Sequence, residues 1–309
     1  MKTWQADFCI FFSGCLWGMA FIFGRWGLEY CSPALFLLLR FGLAALVAFI
    51  LFSRTILQTP RRVRREGLTL GVMMGAGYLL QIYSLNFTDV ARAAFLTGMS
   101  LLGIPIMNFL IFRVGIRINS LVGVVIAVIG LYVFLDPSFK GIASGDIMGL
   151  IAIPFWAVFM IYLSAYTEGK TGFRFTCQLL FWQLVGVLPP SLLVVLIFES
   201  GIVPPLHPSL AKGLTINPQF LVSLAFCAVM ASLVTVLIHT SSQKYTTAVQ
   251  GMLCLQSESL VGAGAAALIL GEAITFHVAV GGAIIIAAIL ISELGGVWLD
   301  KRKAAKEAA

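Results

Sequence analysis

Residues Gln243 to Glu272 read QKYTTAVQGMLCLQSESLVGAGAAALILGE. From Thr247 to Leu270 the run is apolar and long enough to cross a bilayer. In its middle stands one carboxylate, Glu258, flanked by Ser257 and Ser259. A lone ionisable group at membrane depth costs several kcal/mol unless it finds a partner or water, so it marks a functional site by default. The same pattern occurs earlier without the acid. Tyr83 to Tyr132 aligns with Ser241 to Leu290 without gaps, which sets Phe87-Thr88 on Tyr245-Thr246, Ala94 on Met252, Leu102 on Leu260, Ile116 on Ile274 and Gly123 on Gly281. In that register Ser100 falls on Glu258.

Working outward, ten stretches are apolar enough to span: Phe8 to Gly27, Pro33 to Phe52, Gly67 to Asn86, Val90 to Phe112, Ile118 to Asp136, Asp146 to Ala165, Phe173 to Phe198, Pro218 to His239, Thr247 to Leu270 and Phe276 to Leu299. Ser32-Pro33 and Asn217-Pro218 are cap-then-proline helix openings, and Asp136-Pro137 is a stop. Composition agrees. Of 309 residues 60% are hydrophobic and 11% charged, with a mean hydropathy of +1.01, whereas a soluble domain carries about 25% charged residues. The net charge of +7 would suggest nucleic acid in a soluble protein, but here its distribution reports topology and implies no nucleic-acid partner. With the N-terminus cytoplasmic, the inner segments hold Lys2, Arg54, Arg61, Arg62, Arg64, Arg65, Arg113, Arg117, Lys170, Arg174, Lys244, Lys301, Arg302, Lys303 and Lys306, fifteen of the twenty basic residues. Lys140 and Lys212 lie outside, Arg25 and Arg92 near the outer boundary, and Arg40 within a span. Both termini are therefore expected inside.

Ten spans with a repeat give two halves of five. Five is odd, so the second half enters from the opposite side and the repeats are inverted. The expected architecture is an all-α integral membrane protein with residues 1–137 as the first five-helix repeat, 138–300 as the second, and 301–309 as a basic cytoplasmic tail. Trp17, midway along the first span, then matches Trp156, midway along the sixth. Inverted repeats place a substrate site near the midplane, where the halves meet.

The candidate site residues follow from depth. Glu258 either binds a cationic group, titrates a coupling proton, or pairs with Arg40. Arg40 snorkels outward, pairs with Glu258, or binds a substrate carboxylate. Arg92, nearer the surface, snorkels or serves a gate. Trp17, Tyr78 and Trp156 are aromatics away from the interfaces where Trp and Tyr usually collect, so each is a candidate cavity wall. Trp182 is a weaker candidate on a peripheral span. Gln81, Ser100, Gln256 and Thr235 either line the path or bond a neighbouring helix. Gly14-xxx-Gly18 and Gly71-xxx-Gly75 allow close helix approach. Pro105, Pro154, Pro189 and Pro190 interrupt spans as hinges or as static kinks. Glu272 is expected to be solvated or to cap the tenth span. His207, His239 and His277 have no metal-ligand spacing, and Cys9, Cys15, Cys31, Cys177, Cys227 and Cys254 contain no CxxC pair, so neither a metal nor a cofactor is expected.

Trp17-Gly18, Arg40-Phe41, Lys244-Tyr245-Thr246, Glu258, Gly271-Glu272 and Gly281 together resemble the drug/metabolite transporter superfamily, in particular its EamA-type ten-helix members. The resemblance covers nearly the whole chain. It departs at Ser259 and Leu101, where the family often has proline, and at Arg113-Val114, which stands where the second half has Gly-Glu. What the resemblance implies is a carrier in the cell (inner) membrane, moving small polar or amphipathic metabolites, often amino acids and their relatives, by alternating access. A channel-like permease is the nearest alternative. An intramembrane enzyme is disfavoured, since the chain has no HExxH and no GxSxG.

Overall fold

The structure is a computed structural model. It describes residues 2–113, 115, 118–135, 142–167, 170, 172–199, 212–242, 245 and 254–307. Arg117, Asp136-Pro137, Lys140, His207, Lys244, Thr246 and the opening of the ninth span lie outside the described residues.

Among the described residues each apolar stretch has its helix, making ten: α1 (Thr3–Gly27), α2 (Pro33–Ile56), α3 (Arg61–Phe87), α4 (Val90–Phe112), α5 (Ile118–Leu135), α6 (Ser144–Thr167), α7 (Phe173–Glu199), α8 (Pro218–Ser242), α9 (Ser257–Ile269) and α10 (Phe276–Glu307). Seven are long and apolar enough to cross a membrane, and α5, α9 and α10 hold shorter apolar segments. The chain is a multi-pass membrane protein. Several helices outrun their apolar stretch. α3 begins at Arg61 because arginine is a good helix former and Pro60 fits the turn ahead of it. α10 runs on to Glu307, so most of the expected tail is helical; no glycine or proline follows Gly296 to stop it.

Helix pairing follows a pattern. α5 lies along α10, α2 along α7, and α4 along α9. α3 packs on α6 and α7, while α8 packs on α1 and α2. α1 packs on α9, and α6 on α4. Exchanging helix n with helix n+5 maps each of these contacts onto itself or onto another in the set. Two apolar clusters fill the interior, one through Phe21, Phe36, Leu96 and Phe134, the other through Phe41, Leu70, Leu184 and Val187; Trp17 packs against both.

Two helix openings differ from expectation. A helix leaves its first N–H groups without intrahelical partners. Ser32 was expected to cap α2, but its hydroxyl donates instead to Glu199 at the end of α7 (2.6 Å). The Glu199 carboxylate takes the N–H groups of Ala34 (2.9 Å) and Leu35 (3.1 Å), and the Tyr83 hydroxyl (2.7 Å). Glu272, expected to be solvated or to cap α10, is half-buried and bonds elsewhere. It reaches back to α4 and accepts from the N–H groups of Val90 (2.9 Å) and Ala91 (3.1 Å). A carboxylate of full charge on the positive end of a helix dipole outcompetes a local hydroxyl. Asn217 does cap α8, accepting from Phe220 N–H at 2.7 Å.

Candidate functional site

Glu258 sits where three helices meet. Its neighbours Ser257 and Ser259 are buried, and each hydroxyl donates to a carbonyl of another helix: Ser257 to Phe11 of α1 (2.8 Å), Ser259 to Ala94 of α4 (3.0 Å). Glycines make that approach close enough. A Cβ on Gly14 would strike Ser257 Oγ, and one on Gly98 would strike Ser259 Oγ. A Cβ on Gly18 would lie 2.7 Å from the Glu258 carbonyl oxygen and 2.9 Å from the Gly262 nitrogen. So Gly14-xxx-Gly18 is the seam against α9, as Gly71-xxx-Gly75 is against Gly186, Val187 and Pro190 of α7.

Helices α4 and α9 both break at this level. α4 is interrupted at Met99 (φ −66°, ψ −13°), and α9 begins after a turn at Gln256 (φ −62°, ψ −15°). The breaks put Gly98, Ser100, Gln256 and Glu258 on the wall of one cavity. Interrupted helices of this kind are tolerated where the backbone lines a cavity.

The opposite wall depends on a π-helical stretch of α8, Phe226–Val234. Its wide turn shifts backbone pairing, and three of its carbonyls receive side-chain donors. Ser232 donates to Cys227 (2.9 Å), Thr235 to Met230 (2.7 Å), and the Trp17 indole N–H to Ala231 (2.8 Å). The bulge therefore answers how Trp17 satisfies its N–H at mid-depth, and such bulges recur at functional sites. Ser232 also accepts from Arg40 Nε (2.8 Å). Arg40 does not snorkel. It is 4% exposed, with its guanidinium 5.2 Å from the Phe41 ring centre and 4.9 Å from that of Tyr78. Its Nη2 is buried without a hydrogen-bond partner among the described residues.

The cavity holds about 1050 Å³ of empty space, counting its mouth. Glu258, Trp17, Tyr78, Trp156, Arg40, Gln81, Ser100 and Gln256 all line it. Tyr78 and Trp156 meet edge to face at 4.7 Å, and Phe159 adds a third ring 5.9 Å from Trp156. Gln81 donates to Thr97 at 2.9 Å. The Trp156 indole N–H is buried and has no partner among the described residues. The Glu258 carboxylate, half-buried, has no hydrogen bond or ion pair among the described residues, and lies in the field of Arg40. The wall thus presents free donors at Arg40 and Trp156, a free acceptor at Glu258, and aromatic faces between.

Other expectations are corrected. Arg92 neither snorkels nor lines the cavity. It is 9% exposed and pairs with Asp146 of α6, which is fully buried, at 3.0 Å; Asp146 also accepts from Thr88 at 2.5 Å. Asp146→Asn leaves the Arg92 charge without its ion pair, and is expected to lower stability by about 2 kcal/mol, read as a fall in melting temperature; an unchanged melting temperature would contradict the pair's importance. Thr235 bonds within α8 and Trp182 packs beside Gly67 and under Arg64, so neither reaches the cavity. His239, set aside as a helix-end residue, lines it, buried and edge-on to Trp17 at 5.6 Å. Only the π bulge and the helix length beyond His239 bring it there, and no spacing rule signals them.

Residues 4–135 match the EamA-like transporter family. The chain is 24% identical over 298 residues to an uncharacterized transporter of Archaeoglobus fulgidus, covering 95% of this chain and 87% of that protein. A crystal structure of another protein superposes with a TM-score of 0.65 over 97% of this chain and 99% of that one, at 15% identity. That likeness concerns the fold.

Proposed function

We propose that this chain, whose residues 4–135 match the EamA-like transporter family, is a secondary active carrier of a small polar or amphipathic metabolite working by alternating access. The observation that carries the reading is the cavity wall. Among the described residues, a carboxylate without a bonded partner lines the same cavity as buried donors that also have none, and groups so placed are costly unless a ligand completes them. An amino acid, an amine or a related compound suits that wall: a cationic group on Glu258, an anionic or acceptor group on Arg40 and Trp156, and an apolar part among Trp17, Tyr78 and Phe159. Gln81, Ser100 and Gln256 add polar contacts. Glu258 is also the group through which a proton is coupled, and Arg92 with Asp146 holds the boundary above the cavity.

The pairing pattern of the helices supports two repeats, 1–137 and 138–300. The distribution of Lys and Arg supports cytoplasmic termini in a cell (inner) membrane, hence inverted repeats. A facilitative channel is the second reading; the bonds closing the face where α2 and α4 begin favour the carrier.

Purified wild type and Glu258→Gln, melted against a metabolite library in parallel, test the site. A ligand that stabilises only the wild type is the expected result. A ligand that raises both melting temperatures equally would remove Glu258 from the substrate site.

A further inference from the structure

Glu199 and Glu272 do not line the cavity, yet each crosses from the second half to hold a helix of the first. Glu199 takes the Ala34 and Leu35 N–H groups that open α2, and Glu272 takes the Val90 and Ala91 N–H groups that open α4. Both held helices line the cavity, α2 through Arg40 and α4 through Gly98 and Ser100. Glu199 ends a π-helical turn, and Glu272 follows Gly271, whose φ of +69° is a left-handed conformation that favours glycine. Just beneath, Phe21, Ile82 and Leu85 are buried and close the cavity on that side.

At the corresponding positions of the other face the sequence carries no carboxylate. In the repeat register Glu272 corresponds to Val114, and in the register that matches Trp17 with Trp156, Glu199 corresponds to Pro60. Neither can offer a carboxylate to a helix opening. Resting on the carrier reading, we propose that Glu199 and Glu272 are the latches of a gate at the face where α2 and α4 begin, and that their asymmetry biases the protein toward closure there. The latch is reversible on physical grounds. A helix N-terminus holds an anion through its dipole and its free N–H groups, and water replaces the anion at both ends when it leaves.

The test needs no substrate. Ile82→Cys places a thiol on the closed side of the cavity, and Gly213→Cys an exposed one on the same face, where a Cβ meets nothing within 4 Å. A membrane-impermeant maleimide is added to whichever side of the membrane labels Gly213→Cys, and labelling is followed residue by residue by mass spectrometry. With Glu199→Gln and Glu272→Gln added, Ile82→Cys is expected to label about tenfold faster, the change a shift of about 1.4 kcal/mol in the opening equilibrium brings. A second pair, Ser32→Cys with Glu199→Cys, is expected to slow labelling when oxidised and restore it when reduced, which carries the test if the glutamine variants do not fold. Equal rates with and without the glutamines, in folded protein, overturn the latch and leave the carrier reading intact. So does an oxidised pair that labels as fast as the reduced one. Labelling of Ile82→Cys as fast as Gly213→Cys, with both glutamates in place, overturns the latch and the carrier reading together.

Discussion

Glu258→Gln abolishes transport, by about a hundredfold or more, in a protein that folds normally. The magnitude is that of a lost charge-assisted contact in a desolvated site, roughly 2–3 kcal/mol. Folding survives because the carboxylate holds nothing together: among the described residues it makes no hydrogen bond or ion pair. The helix is fixed instead by its neighbours, Ser257 on Phe11 and Ser259 on Ala94. Glutamine keeps the volume and removes the charge. The variant should therefore melt close to the wild type while flux falls to background. Normal uptake with a normal pH dependence would sink the assignment.

The second large effect is on the seam behind that residue. Gly18→Ala forces a methyl against the carbonyl of Glu258 and the nitrogen of Gly262, both backbone atoms that cannot rotate away. Such overpacking costs about 1–3 kcal/mol, and α9 must shift to relieve it, taking Glu258 with it. Gly264→Ala lies on the same helix with nothing within 4 Å and is the matched control. In detergent, Gly18→Ala should melt several degrees lower than Gly264→Ala and transport less. Equal melting temperatures would mean that α1 and α9 do not pack as closely as described.

The ten helices were legible because membrane depth demands a long apolar run, and each run leaves its mark in sequence without help from tertiary contacts. The cavity residues were legible for the converse reason. A polar or amphipathic side chain within such a run, such as Arg40, Gln81, Ser100 or Glu258, is expensive there and stands out. What stayed hidden was partnership. Nothing local says that Glu199 caps α2 or that Glu272 caps α4, since both bonds join residues far apart in the chain. Asp146 read as the start of a span, and only the fold sets it against Arg92. The π stretch of α8 was hidden too, because Ser232 and Thr235 look like ordinary polar residues of a span. Without the bulge, Ser232 could not have been paired with Arg40, and His239 was assigned to a helix end when it faces Trp17.

Counterflow in proteoliposomes tests the central claim most directly. Vesicles are loaded with the unlabelled ligand that stabilises the wild type, and uptake of the labelled ligand is followed from outside. A carrier that must turn over between two faces takes up label faster when the inside is loaded, and Glu258→Gln vesicles show no such acceleration. Uptake through the wild type that ignores the internal load would contradict alternating access and return the protein to the channel reading.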